Sequence, residues 1–280
     1  MGVKMNKSSS STIDKSKIVL PKHCPICNKD TNYAYRINES DTKYSDWRKC
    51  ACGVIFQTEL PKHTGYNEKY IADYVGAKDA RIRGHHAART YVNLIEELTY
   101  GRMLLDVGFN TPYVMDYFDK RGWLTWGIDL NKDTLGAGNM YKGDFMTYDF
   151  QPHIDEAIAL PEIKDKMKEG KIKRTFDLIW MSHVLEHFND PIAALKKAVN
   201  LLSETGVLFI ATPDIDFIFK TGTPYFPHWK KDEHYIMWSE RALVRELERL
   251  GLNVIMKRRN FCSRFISWYD CQILAQKDYF

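Results

Sequence analysis

Leu104-Leu105-Asp106-Val107-Gly108-Phe109-Asn110-Thr111-Pro112 (LLDVGFNTP) is an apolar run that ends in an acid and turns on a glycine. A glycine-rich nucleotide loop would carry two more glycines, where this chain has Asn110 and Pro112. The stretch reads either as a cofactor loop with two glycines replaced or as a strand running into a turn. The neighbouring sequence decides between them.

Working outward, RMLLDVGF (102–109) has the composition of a buried strand, and DYFDKRG carries a helix to its stop at Gly122. LTWGIDLN (124–131) is a second strand ending at Asp129. A short strand lies in NMYKGDFMTYDF (139–150), with Gly143-Asp144-Phe145 behind it. FDLIWM (176–181) is a strong apolar strand. DPIAALKKAVNLLSETG places apolar residues at 192, 195, 199 and 202 and stops at Gly206, as an amphipathic helix should. VLFIATPD is another strand and SERALVRELERLG another helix. LNVIMKRR and SWYDCQILAQK close the chain as a predicted hairpin. This alternation predicts an α/β fold: a Rossmann-like, open, mostly parallel seven-stranded sheet with helices on both faces and a C-terminal antiparallel hairpin. Ligands of such sheets bind at the carboxyl ends of the strands. Asp106–Asn110, Asp129, Asp144, His183 and Thr212–Asp214 all fall at such ends, so the first stretch is read as a cofactor loop.

From about residue 85 onward the chain resembles the class I S-adenosylmethionine-dependent methyltransferases. Asp106-x-Gly108-x-Asn110-x-Pro112 stands where that family has an acid followed by Gly-x-Gly-x-Gly. Asn tolerates left-handed backbone angles, and proline fits the first turn of a helix, where no N–H is needed. The resemblance implies that Asp106, Gly108 and Asn110 cradle the methionine part of S-adenosylmethionine. It implies that Asp129 accepts from the ribose hydroxyls and Asp144 from the adenine amino group. Leu130 or Phe145 would cover the adenine ring, with Met181 also lining the cofactor. SHVLEHFNDP (182–191) is similar to the signature of the subgroup that methylates small molecules such as quinones, sugars and natural products. In ubiquinone-type relatives the positions of His183, Glu186 and His187 are implied to hold a divalent metal.

Methyl transfer needs a positioned acceptor that has shed its proton. His183 is the preferred general base, His234 the second candidate, and Glu186 and His187 complete the catalytic set. Glu186 reads equally well as a brace of its own turn. Residues 212–238 are long, aromatic and broken by prolines, as a lid is. Tyr225, Phe226, Trp229 and Tyr235 either line a ring-shaped acceptor or pack among themselves. Residues 151–174 read as a charged, helix-prone surface insertion.

HCPICNKD and RKCACGVIF carry Cys24, Cys27, Cys50 and Cys52. Their spacing suits a closed structural Zn²⁺ site, with His23 and His63 as spare ligands. Residues 20–60 are then a small zinc-binding β-module, too small to fold well without its metal. Residues 1–19 read as a flexible tail, 61–98 as a helical linker with Tyr66, Tyr70 and Tyr74 on one face, and 99–280 as the methyltransferase domain. Nothing approaches the roughly 20 apolar residues of a membrane span, so a cytoplasmic protein with no membrane partner is expected.

Net charge is +4, from 40 basic and 36 acidic residues. That excess is small for a nucleic-acid binder, and the best basic patch, KRRNFCSR (257–264), is short. A small-molecule acceptor is therefore the leading expectation. An RNA methyltransferase using its zinc module, and a non-catalytic binding protein with an altered loop, are the alternatives. The acceptor and the oligomeric state are not legible in the sequence.

Overall fold

The computed structural model describes residues 23–38, 44–61, 78–130, 139–161, 175–216, 228–260 and 270–277. The tail, His63, the three linker tyrosines, Tyr225, Phe226, Cys262 and residues 162–174 lie outside the described residues.

The main sheet contains β4 (Met103–Val107), β5 (Leu124–Asp129), β6 (Met140–Lys142), β7 (Phe176–Ser182), β8 (Leu202–Pro213), β10 (Leu252–Asn260) and β11 (Asp270–Lys277). Their spatial order is β10-β11-β8-β7-β4-β5-β6. β6, β5, β4, β7 and β8 run parallel. β11 is antiparallel to both β8 and β10. The expected seven strands and closing hairpin are therefore present, and the hairpin's second strand inserts between the first and the parallel sheet.

β4 and β7 are apolar along nearly their whole length, and their side chains are buried on both faces. This suits central strands covered on each side. Trp180 and Phe209 sit opposite each other on β7 and β8 and stack at 3.7 Å between ring centroids. One face is covered by α1 (Lys78–Leu98) and α2 (Tyr113–Asp119), through Tyr91, Val92, Ile95, Met115 and Phe118. The other is covered by α3 (Gln151–Ala159), α4 (Pro191–Leu201) and α5 (Glu240–Arg249). α4 and α5 begin as their sequences dictate. The Asp190 carboxylate accepts from Ala193 N and the Ser239 hydroxyl from Ala242 N, each satisfying one of the open amides of a first turn. α1 forms the last part of the expected helical linker, and α3 forms the first part of the expected insertion, with Ile154 and Ala157 buried.

The N-terminal module holds a second, antiparallel sheet of β1 (Asn32–Asn38), β2 (Tyr44–Lys49), β3 (Val54–Gln57) and β9 (Ile236–Trp238). β9 comes from the segment expected to be a lid. The module therefore borrows its fourth strand from the main domain. Cys24, Cys50, Val54 and Phe56 also belong to the same buried cluster as the α5 face of the main sheet.

Candidate active site

The loop after β4 has the backbone that its residues allow. Gly108 has φ +69° and Asn110 φ +47°, so both replace the extended path with left-handed turns that glycine and asparagine tolerate. A Cβ on Gly108 would come within 2.7 Å of a Val184 methyl. Pro112 stands immediately before α2, and its carbonyl accepts from Asp116 N at 2.8 Å. Asn110 N donates to Asp129 Oδ2 at 2.9 Å, which ties the loop to the next strand end. Asp106 is buried behind them. Burial, and then the nearby Asp129 charge, push its carboxyl well above the ordinary range.

The other expected cofactor residues divide. Leu130 is 58 % exposed and stands at the end of β5, open to a ligand. Asp144 is exposed, with one carboxylate oxygen accepting from Met146 N. Phe145 is buried and packs edge-on against Phe188 and tilted against Phe150, and Met181 lies in the core of β7. Of the two apolar residues expected at the adenine ring, the exposed Leu130 has the accessible surface.

Beyond β7 the chain makes a sharp break. His183 has φ +53°, an uncommon conformation for a residue with a side chain, and Leu185–His187 form a single 3-10 turn. Glu186 is completely buried and accepts from the Thr212 hydroxyl at 3.1 Å. His183 lies between two carboxylates, with Nδ1 3.4 Å from Glu186 and Nε2 3.6 Å from Asp270. Burial opposes charge on this ring, yet Asp270 and Glu186 together raise it to about 9. The two flanking carboxylates favour the charged ring, which disfavours the role of general base expected for His183.

His187 and His234 show the opposite state. His187 Nδ1 lies 2.8 Å from the Glu233 carbonyl, and His234 Nδ1 lies 2.8 Å from the His228 carbonyl. A carbonyl only accepts, so each Nδ1 carries the hydrogen and each neutral ring presents a lone pair at Nε2. Burial lowers both; for His234 the neighbouring His187 adds to the effect. The His187 and His234 rings meet edge to face at 4.7 Å. Ligand atoms of Glu186, His187 and His234 all lie within 4.8 Å of one another. Two imidazole nitrogens and a carboxylate suit Zn²⁺, Mn²⁺ or Fe²⁺ better than Mg²⁺. His183, which the resemblance placed in such a set, stands outside it.

Three participants escape a reading of the sequence. Asp270 opens β11 opposite Pro213, and only the register of the hairpin brings it to His183. His228 stacks on His183 and His234 at 6.0 and 5.8 Å, and no spacing rule singles it out within the aromatic segment. Gln57 ends β3 and gives its side-chain amide to the turn before His234. Trp229 and Tyr235, expected either to line the acceptor or to pack, are buried against the N-terminal module. Trp229 lies on Trp47 at 4.9 Å and Tyr235 on Phe56 at 6.5 Å. Packing is their role.

The four cysteine sulfurs converge. Cys24 and Cys52 are 3.6 Å apart and Cys27 and Cys50 3.4 Å, all four within 4.8 Å of one another. A tetrahedral site with Zn–S of about 2.3 Å has S···S edges of about 3.8 Å, so the group fits. Ile26 N and Cys52 N point at Cys24 and Cys50 sulfurs at 3.4 Å, as amides that stabilise thiolates do. His23 instead pairs with Asp30 at 3.3 Å.

The sequence profile described as "Methyltransferase domain" matches residues 80–257. A ubiquinone biosynthesis O-methyltransferase of Glaesserella parasuis serovar 5 (strain SH0165) is 27 % identical over 124 residues, which are 44 % of this chain and 50 % of that protein. Its counterpart in Pelagibacter ubique (strain HTCC1062) is 32 % identical over 110 residues, 39 % of this chain and 41 % of that protein. The chain thus spans about half the length of the curated relatives it matches. Among solved structures, a Burkholderia thailandensis 1,6-didemethyltoxoflavin-N1-methyltransferase, with bound 1,6-didemethyltoxoflavin and S-adenosylhomocysteine, superposes with a TM-score of 0.53 at 12 % identity. The match covers 87 % of this chain and 99 % of that one, a likeness of fold. With the profile covering well over half of its length, this chain belongs to the methyltransferase domain family.

Proposed function

We propose that the chain transfers a methyl group from S-adenosylmethionine to oxygen or nitrogen of a small-molecule acceptor. The observation that carries this reading is the loop after β4. Gly108 and Asn110 are left-handed, Asp129 is tied to them, and a buried histidine–carboxylate cluster stands at the next strand ends. When bound, the cofactor supplies an electrophilic methyl on a sulfonium.

The chain's residues do the rest. Asp129 accepts from ribose hydroxyls, Asp144 from an amino group, and Leu130 covers an apolar ring. His234 Nε2 takes the proton that the acceptor gives up, because its tautomer leaves a lone pair there. The His183 imidazolium orients an acceptor that carries negative charge. Asp270 holds His183 charged and acts as a positioning residue. A structural Zn²⁺ in the Cys24, Cys27, Cys50 and Cys52 site completes the module. Titration calorimetry tests the reading: full-length protein should bind S-adenosylmethionine at one site, and Asp129→Ala should weaken it. No heat of binding in the wild-type chain would favour a non-catalytic binding protein.

A second reading rests on the convergence of Glu186, His187 and His234. A divalent metal held there would bind a catechol-like acceptor and lower its proton affinity directly. Calorimetric titration of Mn²⁺ or Zn²⁺ into protein whose cysteine site is already loaded distinguishes the two. Against an RNA acceptor, Lys257 and Arg259 of the basic patch are engaged. Arg259 pairs with Asp214, Asp216 and Glu240, and Lys257 with Glu240.

A further inference from the structure

The side-chain amide of Gln57 is buried, and Nε2 approaches three backbone carbonyls. It donates to Lys230 at 3.0 Å, to Lys231 at 2.9 Å and to the carbonyl of His234 itself. The main chain adds a fourth link, Gln57 N to Tyr235 O at 2.8 Å. The side-chain partners lie 173 to 177 residues away in sequence. On its other side the same turn is fastened to the 3-10 turn: Tyr235 N donates to Glu186 O and His187 Nδ1 to Glu233 O, both at 2.8 Å. The turn that carries His234 is thus held between one side chain of the N-terminal module and the strand end of the main sheet.

The module is also well fixed to β9 and α5. Ser239 N donates to Gly53 O at 2.9 Å, and Arg245 Nη1 to Cys52 O at 2.9 Å. A Cβ on Gly53, at φ +98°, would meet the Ser239 hydroxyl at 2.5 Å. Gln57 ends the strand, β3, that follows the second cysteine pair. A packing role alone would be filled by any apolar side chain of this length. An apolar side chain could not donate to the three carbonyls on which this amide converges, and the bond to the His234 carbonyl is buried.

We propose that Gln57 is a positioning residue for His234, and that the cysteine module serves the acceptor side of the site through it. This rests on the methyltransferase reading only for its consequence in catalysis; the placement of His234 can be read without turnover. Gln57→Met keeps length and bulk but removes both hydrogens. Full-length wild type and variant, labelled with ¹⁵N-histidine, would be compared by NMR, with His234→Asn to assign the ring. The wild type should show His234 fixed with hydrogen on Nδ1. In Gln57→Met its two ring nitrogens should shift toward each other as the tautomers average. Amides 234 and 235 should exchange about tenfold faster, as a locally loosened turn does. Affinity for S-adenosylmethionine should stay within about twofold, since no cofactor-side group is touched. His234 signals unchanged in a folded Gln57→Met would overturn the proposal. If that variant fails to fold, Gln57→Asn, whose amide falls one methylene short, should show the same shift, and its absence there overturns the proposal equally. A wild-type chain that binds no cofactor would remove the proposed function and leave this comparison standing.

Discussion

Gly108, Asn110 and Asp129, the proposed cofactor side, stand at the ends of two adjacent parallel strands, and a bond from Asn110 N to Asp129 ties them together. The proposed acceptor side is assembled differently. His183 and Glu186 come after β7, Thr212 lies at the end of β8, Asp270 opens β11, and His234 precedes β9, which pairs with the N-terminal module. The first region is fixed by residue types over a short stretch of chain. The second is fixed by long-range packing. Damage to the first should therefore stay local, whereas the second should respond to changes far from it.

The largest expected effect separates the two sides most sharply. His234→Ala should reduce turnover on the true acceptor by about 10²–10⁴-fold, the usual worth of a general base, with cofactor affinity unchanged. His183→Ala should cost less, since it removes an orienting charge. If steady-state kinetics give the reverse order, the base and the orienting cation exchange roles.

On the cofactor side, Asp129→Ala should weaken S-adenosylmethionine by about 1–3 kcal/mol in calorimetry, the worth of hydrogen bonds to a charged group. Gly108→Ala should act in the same direction. It adds roughly 1–2 kcal/mol of left-handed strain and presses on Val184. Neither should alter the His234 ring signals; if either does, the two sides are coupled after all.

Cys27→Ser, or chelation of the zinc proposed for the cysteine site, should open residues 23–57 to proteolysis. Because β9 is the module's fourth strand, the same treatment should loosen 228–239 while the loop after β4 stays protected. Hydrogen exchange with mass spectrometry reads both segments at once, and equal loosening of both would erase the distinction.

The smallest effect lies at the base of the cofactor side. Glu96 of α1 is held at about 2, below its ordinary 4.5, chiefly by Arg121, with Trp123 and Arg102 assisting against burial. A lowered carboxylate adds stability above its unfolded value and loses it as pH falls through the folded one. Chemical denaturation should therefore show part of the stability fading between about pH 4.5 and pH 2. Glu96→Gln should remove that part, about 1 kcal/mol after solvent screening.

The main sheet is legible in the sequence because its central strands are apolar runs, and α4 and α5 have cap residues and a 3.6-residue period. Asn110 and Pro112 are readable as replacements for glycine because backbone angle belongs to a single residue. The protonation states are not readable. His183 sits at a strand end as expected, but its charge is set by Asp270, which only the hairpin register brings near. Trp229 and Tyr235 look the same in sequence whether they face a ligand or a neighbouring sheet; their partners Trp47 and Phe56 decide the matter. For the same reason β9 looks like part of a lid. Three residues are too few to announce a strand that pairs with another domain.

The borrowing of β9 also sets a timetable. During synthesis β3 leaves the ribosome with one edge unpaired, and its partner is made only roughly 180 residues later, about 10–40 s at bacterial and eukaryotic elongation rates. Through that interval a buried-type strand, Val54–Gln57, has an open edge of the kind that recruits other chains. The metal proposed for the cysteines would hold the early hairpin together in the meantime, but the sheet cannot be finished before Trp238 emerges. A nascent chain stalled before that point should be caught by holdase chaperones at its N-terminus, even though the cofactor loop has long since been made.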